Sequence, residues 1–194
     1  HESVLRLNLF STLHASQAAN AVMQQQDSGG VIVCIGSISA LRPSPGTAAY
    51  GAAKAAVLSL VSSLAVEWAP KVRVVAVSPG LVRTEQSALH YGDAQGLANV
   101  AATIPAGRMA EPQDIANACL FVSSPQASYM SGSNLLLHGG GVAAPEALGA
   151  GRQAMVHGQQ HQGLQIDAQV GPLRQAHALV HADEDAHGLA KELG

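Results

Sequence analysis

Residues 31–54 read Val-Ile-Val-Cys-Ile-Gly-Ser-Ile-Ser-Ala-Leu-Arg-Pro-Ser-Pro-Gly-Thr-Ala-Ala-Tyr-Gly-Ala-Ala-Lys. Val31 to Ile35 is a short β-branched run closed by Gly36-Ser37, the pattern of a buried strand. Pro43 and Pro45 make 40–47 a loop. A helix is predicted over 48–69, where Tyr50, Lys54, Val57, Leu58, Val61, Leu64 and Trp68 fall on one face, and Pro70 ends it. Outward from this strand–loop–helix unit, Val72 to Val77 reads as a second buried strand closed by Pro79-Gly80, and Leu135 to Leu137 as a third, closed by Gly139 to Gly141. On the other side, 3–26 reads as one helix ending before Gly29-Gly30. Residues 83–104 are helical in tendency, and a further helix opens at Glu111-Pro112 and runs to Val122. Strands alternating with helices predict an α/β fold on a parallel sheet. Ligands of such sheets sit at the C-terminal strand ends, here Gly36-Ser37, Ser78-Pro79-Gly80 and His138-Gly139.

The composition excludes several classes. With 194 residues, 47% hydrophobic and 12% charged, the chain can bury a core and is no disordered polyelectrolyte. A net charge of −3 argues against a nucleic-acid partner, which needs a basic surface. Only Cys34 and Cys119 are present, so no disulfide framework is expected, and a reducing cytoplasm is the simplest compartment. No apolar run is expected to span a bilayer, so no membrane partner is expected either.

Tyr50-x3-Lys54 carries the first chemical signal. An i, i+4 pair shares a helix face, a cation nearby favours the phenolate, and the tuned phenol could exchange a proton with a carbonyl or alcohol oxygen near neutral pH. Ser37, at the end of the strand before that helix, would bring a hydroxyl to the same sheet edge. Asn8 stands inside a predicted helix, where its amide competes for backbone hydrogen bonds; a kink or an exposed polar position is the plain reading.

Together these residues resemble the Asn–Ser–Tyr–Lys tetrad of the classical short-chain dehydrogenases/reductases: Asn8 in Leu7-Asn8-Leu9, Ser37 in Ile35-Gly36-Ser37, then Tyr50 and Lys54. Val77-Ser78-Pro79-Gly80-Leu81-Val82-x-Thr84 is similar to the family's segment after its sixth strand. Gly107-Arg108-x2-Glu111-Pro112-x-Asp114-Ile115-Ala116 is similar to the run before its last helix, and Tyr129-x2-Gly132-x2-Leu135 into Gly139-Gly140 to its final strand. Over about 3–141 the motifs keep family order and spacing, closest to 3-oxoacyl reductase-like members.

The resemblance implies a partial Rossmann-like, doubly wound parallel sheet and hydride transfer between NAD or NADP and a carbonyl or alcohol, with a 3-oxoacyl or steroid-like ketone fitting a lid over 85–104. It implies Tyr50 as general acid or base and Ser37 on the substrate oxygen. Lys54 would lower the Tyr50 pKa and hold the nicotinamide ribose, and Asn8 would hold a relay water. Pro79, Gly80, Val82 and Thr84 would lie against the nicotinamide. A homodimer or homotetramer would form through 3–26 and 48–69.

The departures are equally legible. No Gly-rich pyrophosphate loop is present, so the N-terminal nucleotide-binding strands are expected to be missing and the isolated chain to be inactive, with Val31 to Ile35 exposing an apolar edge. Val75 replaces a usual Asn and His138 a frequent Asp. The domain is expected over 1–141. Residues 142–194, rich in Ala, Gly, Gln and His and without an aromatic, show no strand signal, offer at most a weak helix over Leu173 to Leu193, and read as disordered or translated in a wrong frame. His157-x3-His161 and His177-x3-His181 have metal-ligand spacing, but no carboxylate or cysteine supports them and no metal is expected. A non-enzymatic dimerisation module and an inactive truncated gene product are the alternative readings.

Overall fold

In the computed structural model, the described residues are 1–141 and the strand 177–180. The elements are α1 (Glu2–Leu5), a π turn (Arg6–Phe10), α2 (Ser11–Met23), β1 (Gly30–Ile35), α3 (Ala48–Glu67), β2 (Val72–Pro79), α4 (Ser87–Tyr91), α5 (Ala94–Ala102), α6 (Pro112–Ser123), β3 (Asn134–Leu137) and β4 (His177–Val180). The sheet is parallel in the order β3-β2-β1-β4. Register runs from Gly30 opposite Val72 to Ile35 opposite Val77, and from Ala76 opposite Asn134 to Pro79 opposite Leu137.

Period-2 alternation divides the core in two. Ile32, Cys34, Val72, Val74 and Ala76 face α2 and α3, packing on Met23, Val57, Val61, Leu64 and Ala65. Val31, Val33, Ile35, Val75 and Val77 face α6, packing on Ile115, Cys119 and Val122. Both faces are covered by helices, which is why the strands read as continuous apolar runs rather than alternating ones. Val75, the departure from the family's Asn, is fully buried among these residues. His138 keeps an acceptor at the Gly-Gly turn, its Nδ1 receiving the Gly140 N–H at 3.1 Å.

Three sequence expectations need correction. The helix expected over 3–26 is interrupted by the π turn, with the Ser11 N–H donating to the Arg6 carbonyl five residues back. A π turn leaves no mark in apolar spacing, so periodicity could not show it. The tail does contain a strand: β4 pairs with β1, Val31 opposite His177 through Cys34 opposite Val180, so the β1 edge is not left open. Four residues, two of them His and Ala, are too short a signal; pairing is dictated by the unpaired backbone of β1. The rest of the expected helix over Leu173 to Leu193, and His157 and His161, lie outside the described residues. Finally, α3 is long and apolar enough by length and composition to cross a bilayer. Its inner face, with Lys54 among the buried residues, instead packs on the sheet as a core helix.

α6 is fixed at both ends. Glu111 and Asp114 form a capping box, and Arg108 grips the Asp114 carboxylate at 2.6 and 3.0 Å. Arg108, together with the Glu111 backbone, holds that carboxyl down to about 2. At the other end, Arg73 reaches from β2 to the carbonyls of Val122 (3.1 Å), Ser124 (3.5 Å) and Met130 (2.8 Å). A cation at a helix C-terminus satisfies orphan carbonyls and complements the dipole. Replacing it by a shape-similar apolar residue, Arg73→Met, is expected to lower unfolding stability by about 2–4 kcal/mol. Urea denaturation reads this as a lowered midpoint at unchanged slope; an unchanged midpoint would show that these bonds contribute nothing.

Candidate functional site

The site grows from the exits of β1 and β2. At Gly36 the two strands lie so close that a Cβ would stand 2.2 Å from the Ser78 Oγ. Only glycine allows that approach. Ser37 follows in extended backbone, and its Oγ accepts the Ser39 N–H at 3.1 Å, opening a single 3-10 turn, Ile38–Ala40. The loop then folds back on the first turns of α3: a Cβ at Gly51 would meet the Ser39 carbonyl oxygen at 3.0 Å and the Ser44 Cβ at 3.3 Å. This return places Ser37 beside Tyr50.

Lys54 lies one helical turn below Tyr50 and is 7% exposed. Its ammonium donates to the Ile35 carbonyl at 3.0 Å and stands 5.7 Å from the centre of the Tyr50 ring. Burial pulls the Lys54 pKa down to about 8, the neighbouring Cys34 thiol opposing the shift. Cys34 itself is pushed up to about 11 by burial, with Ser16 and Lys54 opposing. Tyr50 as a residue is half-buried, yet its hydroxyl is enclosed enough that burial raises the phenol pKa, and the Ser37 hydroxyl is the hydrogen-bonding neighbour that works against the rise. The net direction is upward where the sequence led to the expectation of a lowered value: burial is the larger cause, and the ammonium gives its directed bond to Ile35.

Asn8 is buried in the π turn, its Nδ2 donating to the Val4 carbonyl at 3.1 Å. The turn packs against α3, which places Asn8 on the α2–α3 side of the sheet. Pro79 ends β2, and the Gly80 N–H donates to the Leu137 carbonyl at 2.7 Å. Val82 pairs with Ala110 in a bridge made by the Arg83 N–H (2.7 Å) and the Leu81 carbonyl (2.9 Å). The Thr84 N–H donates to Ser87 Oγ at 2.8 Å, and the two hydroxyls lie 3.4 Å apart. Behind them α4 and α5 enclose an apolar cluster of Val100, Ile104 and Met109 with Leu81, Tyr91 and Leu97. Sequence reading gave these helices only as a tendency and passed over Arg42, whose charge acts on Tyr91 at the end of α4.

The residues present fit the ribose end of a nicotinamide cofactor. Lys54 is a buried cation with one protein acceptor among the described residues, so two ammonium hydrogens remain for a diol. The bridge at Val82 is made by the Leu81 carbonyl and the Arg83 N–H, so among the described residues the Val82 N–H is left for a carboxamide.

The family described as Enoyl-(Acyl carrier protein) reductase matches residues 1–141. The chain belongs to the short-chain dehydrogenase/reductase family. It is 41% identical to a 3alpha-hydroxysteroid dehydrogenase of Mediterraneibacter gnavus over 140 residues, 71% of this chain and 54% of that protein. It is 36% identical to a 3-oxoacyl-[acyl-carrier-protein] reductase of Vibrio cholerae over 138 residues, 71% of this chain and 55% of that one. The structure of 7 alpha-hydroxysteroid dehydrogenase complexed with NADH and 7-oxo glycochenodeoxycholic acid superposes with a TM-score of 0.63 at 35% identity, covering 71% of this chain and 53% of that one. The chain spans about half the length of the curated relatives it matches. Relatives in this short-chain dehydrogenase/reductase family use NAD(P).

The buried lysine gives a signed pH test. The unfolded chain keeps the Lys54 proton up to its usual 10.5, the folded chain only to about 8, so between these values the unfolded state binds more protons and stability rises with pH. At about 1.4 kcal/mol per pKa unit, that rise amounts to about 3 kcal/mol. Lys54→Met lacks it. The variant is therefore expected to gain most over the parent at pH 7, with the advantage shrinking by about 3 kcal/mol toward pH 10.5. Paired urea unfolding at pH 7 and pH 10 measures it, and the difference between the two proteins removes the contribution of Cys119, which burial alone shifts. A pH-independent difference would count against a desolvated Lys54.

Proposed function

We propose that this chain carries the catalytic half of an NAD(P)-dependent oxidoreductase acting on an apolar ketone or the matching secondary alcohol, a 3-oxoacyl or steroid-like carbonyl among them. The observation that carries the proposal is the gathering of Ser37, Tyr50 and a buried Lys54 at one end of the sheet, with Lys54 tied to the last residue of β1. The apolar cluster under α4 and α5 supports an apolar substrate, as do the steroid and 3-oxoacyl relatives.

The roles follow from the surroundings. A phenol whose pKa is raised stays protonated at neutral pH, so Tyr50 is a proton donor to a carbonyl oxygen in the reductive direction. The Ser37 hydroxyl holds that oxygen toward Tyr50 and stabilises the charge that develops on it. Lys54, protonated below about 8, fixes the ribose and favours the phenolate once the proton has left. The nicotinamide, when bound, supplies or takes up the hydride. Asn8 positions the relay side of Lys54 through its place in the π turn.

With the N-terminal nucleotide-binding strands of a relative joined to this chain, Tyr50→Phe is expected to reduce the rate of NAD(P)H-dependent reduction of a 3-oxoacyl ester or an oxo-steroid by about 100-fold or more with circular dichroism unchanged. Retained activity would overturn the assignment. The 194-residue chain alone, lacking a pyrophosphate loop in its sequence, is expected to give no saturable enhancement of NADH fluorescence. Saturable, tight binding would overturn that expectation.

A further inference from the structure

Arg42 lies in the loop that carries the chain from Ser37 to Tyr50. Its neighbours Ser39 and Ser44 both pack against Gly51, so the guanidinium stems from within a few residues of the proton donor. Two of its nitrogens, Nε and Nη1, are buried and without a hydrogen-bond acceptor among the described residues. These belong to different edges of the guanidinium plane. Each bidentate edge therefore carries a donor that nothing satisfies, an arrangement native proteins avoid unless an acceptor arrives from outside.

The surroundings come from α4. The Tyr91 phenol is close enough to Arg42 for the two to feel each other's charge; burial raises the Tyr91 pKa and Arg42 opposes the rise. Tyr91 also packs on the apolar cluster of α4 and α5. Next to it, His90 stands edge-on at 6.3 Å between ring centres, and its Nε2 is likewise buried without a partner. Arg42 and His90 thus each carry buried polar atoms without a partner, and Tyr91 lies next to His90 in α4 and within charge range of Arg42, beside an apolar cluster. No described carboxylate pairs with Arg42.

We propose that Arg42, with His90 and Tyr91 beside it, is a specificity site that binds a carboxylate on the substrate, so that the chain acts on keto acids or hydroxy acids with an apolar body. This rests on the oxidoreductase proposal for the reaction, but not for the binding. A planar guanidinium with open donor edges matches a carboxylate bidentately. The apolar cluster takes the carbon skeleton, and the carboxylate fixes which end of it points toward Ser37 and Tyr50.

The test is a binding titration of the full chain, followed by saturation-transfer NMR, with levulinate and its methyl ester, which differ in charge and share the ketone. The anion is expected to bind about tenfold or more tighter than the ester, and Arg42→Gln to remove that preference while leaving the ester unchanged. Added salt should erode the preference in the parent, which keeps the test open if the variant does not fold. Equal binding of anion and ester by the parent overturns the proposal. So does an equal loss of both in Arg42→Gln, which would make Arg42 a latch between the loop and α4. Because the titration needs no turnover, anion binding through Arg42 together with full activity of Tyr50→Phe would overturn the oxidoreductase proposal and leave this one standing.

Discussion

The hydrogen bond from the Lys54 ammonium to the Ile35 carbonyl joins the two halves of the architecture. It ties the face of α3 to the last residue of β1, inside a core where an unpaired charge would be costly. Its existence demands that α3 start close to the strand exit, which in turn demands the short return through Ser39 and Ser44 and a glycine at 51. It also demands that β1 end where it does, since the next residue, Gly36, must let β2 approach. The chemistry of the site follows from this constraint. The same low-polarity setting that lowers the lysine pKa raises that of the tyrosine above it, so phenol and cation are tuned by one cause acting in opposite directions.

The sheet explains why the remaining groups meet. Parallel strands deliver all their C-terminal ends to one edge, so Ser37, the Pro79-Gly80 turn and the His138 turn arrive together although they are far apart in sequence. Helices on both faces leave the strands nothing to do but pack. Functional groups are pushed to the loops and to the one helix that begins beside the edge.

Sequence reading reached three of the strands and the helix over 48–69 because each leaves a local mark: β-branched runs, helical spacing, a proline or glycine stop. It did not reach features whose cause is tertiary. The π turn at Asn8 depends on how the helix sits against α3. The strand at His177–Val180 depends on the edge it meets. The three carbonyls held by Arg73 come from residues about fifty positions away. The sign of the Tyr50 shift could not be read from an i, i+4 pair, because proximity to a cation is visible in the sequence and desolvation is not. Arg42 was hidden for the same reason: an arginine in a proline-rich loop looks solvated until its nitrogens are seen to be enclosed.

The π turn has a consequence for how the first helix can change. Between Arg6 and Phe10 the helix carries one residue more than regular winding needs, so its two ends present their apolar faces in different phases. That surplus is a local store of length. Loss of one residue there would let the turn relax to ordinary winding with both ends still in place, whereas the same loss further along α2 would rotate Ser16 and Met23 out of the core. The segment that holds Asn8 is therefore also the point at which this helix best tolerates a change in its length, and the buried Asn8 amide is what such a change would cost.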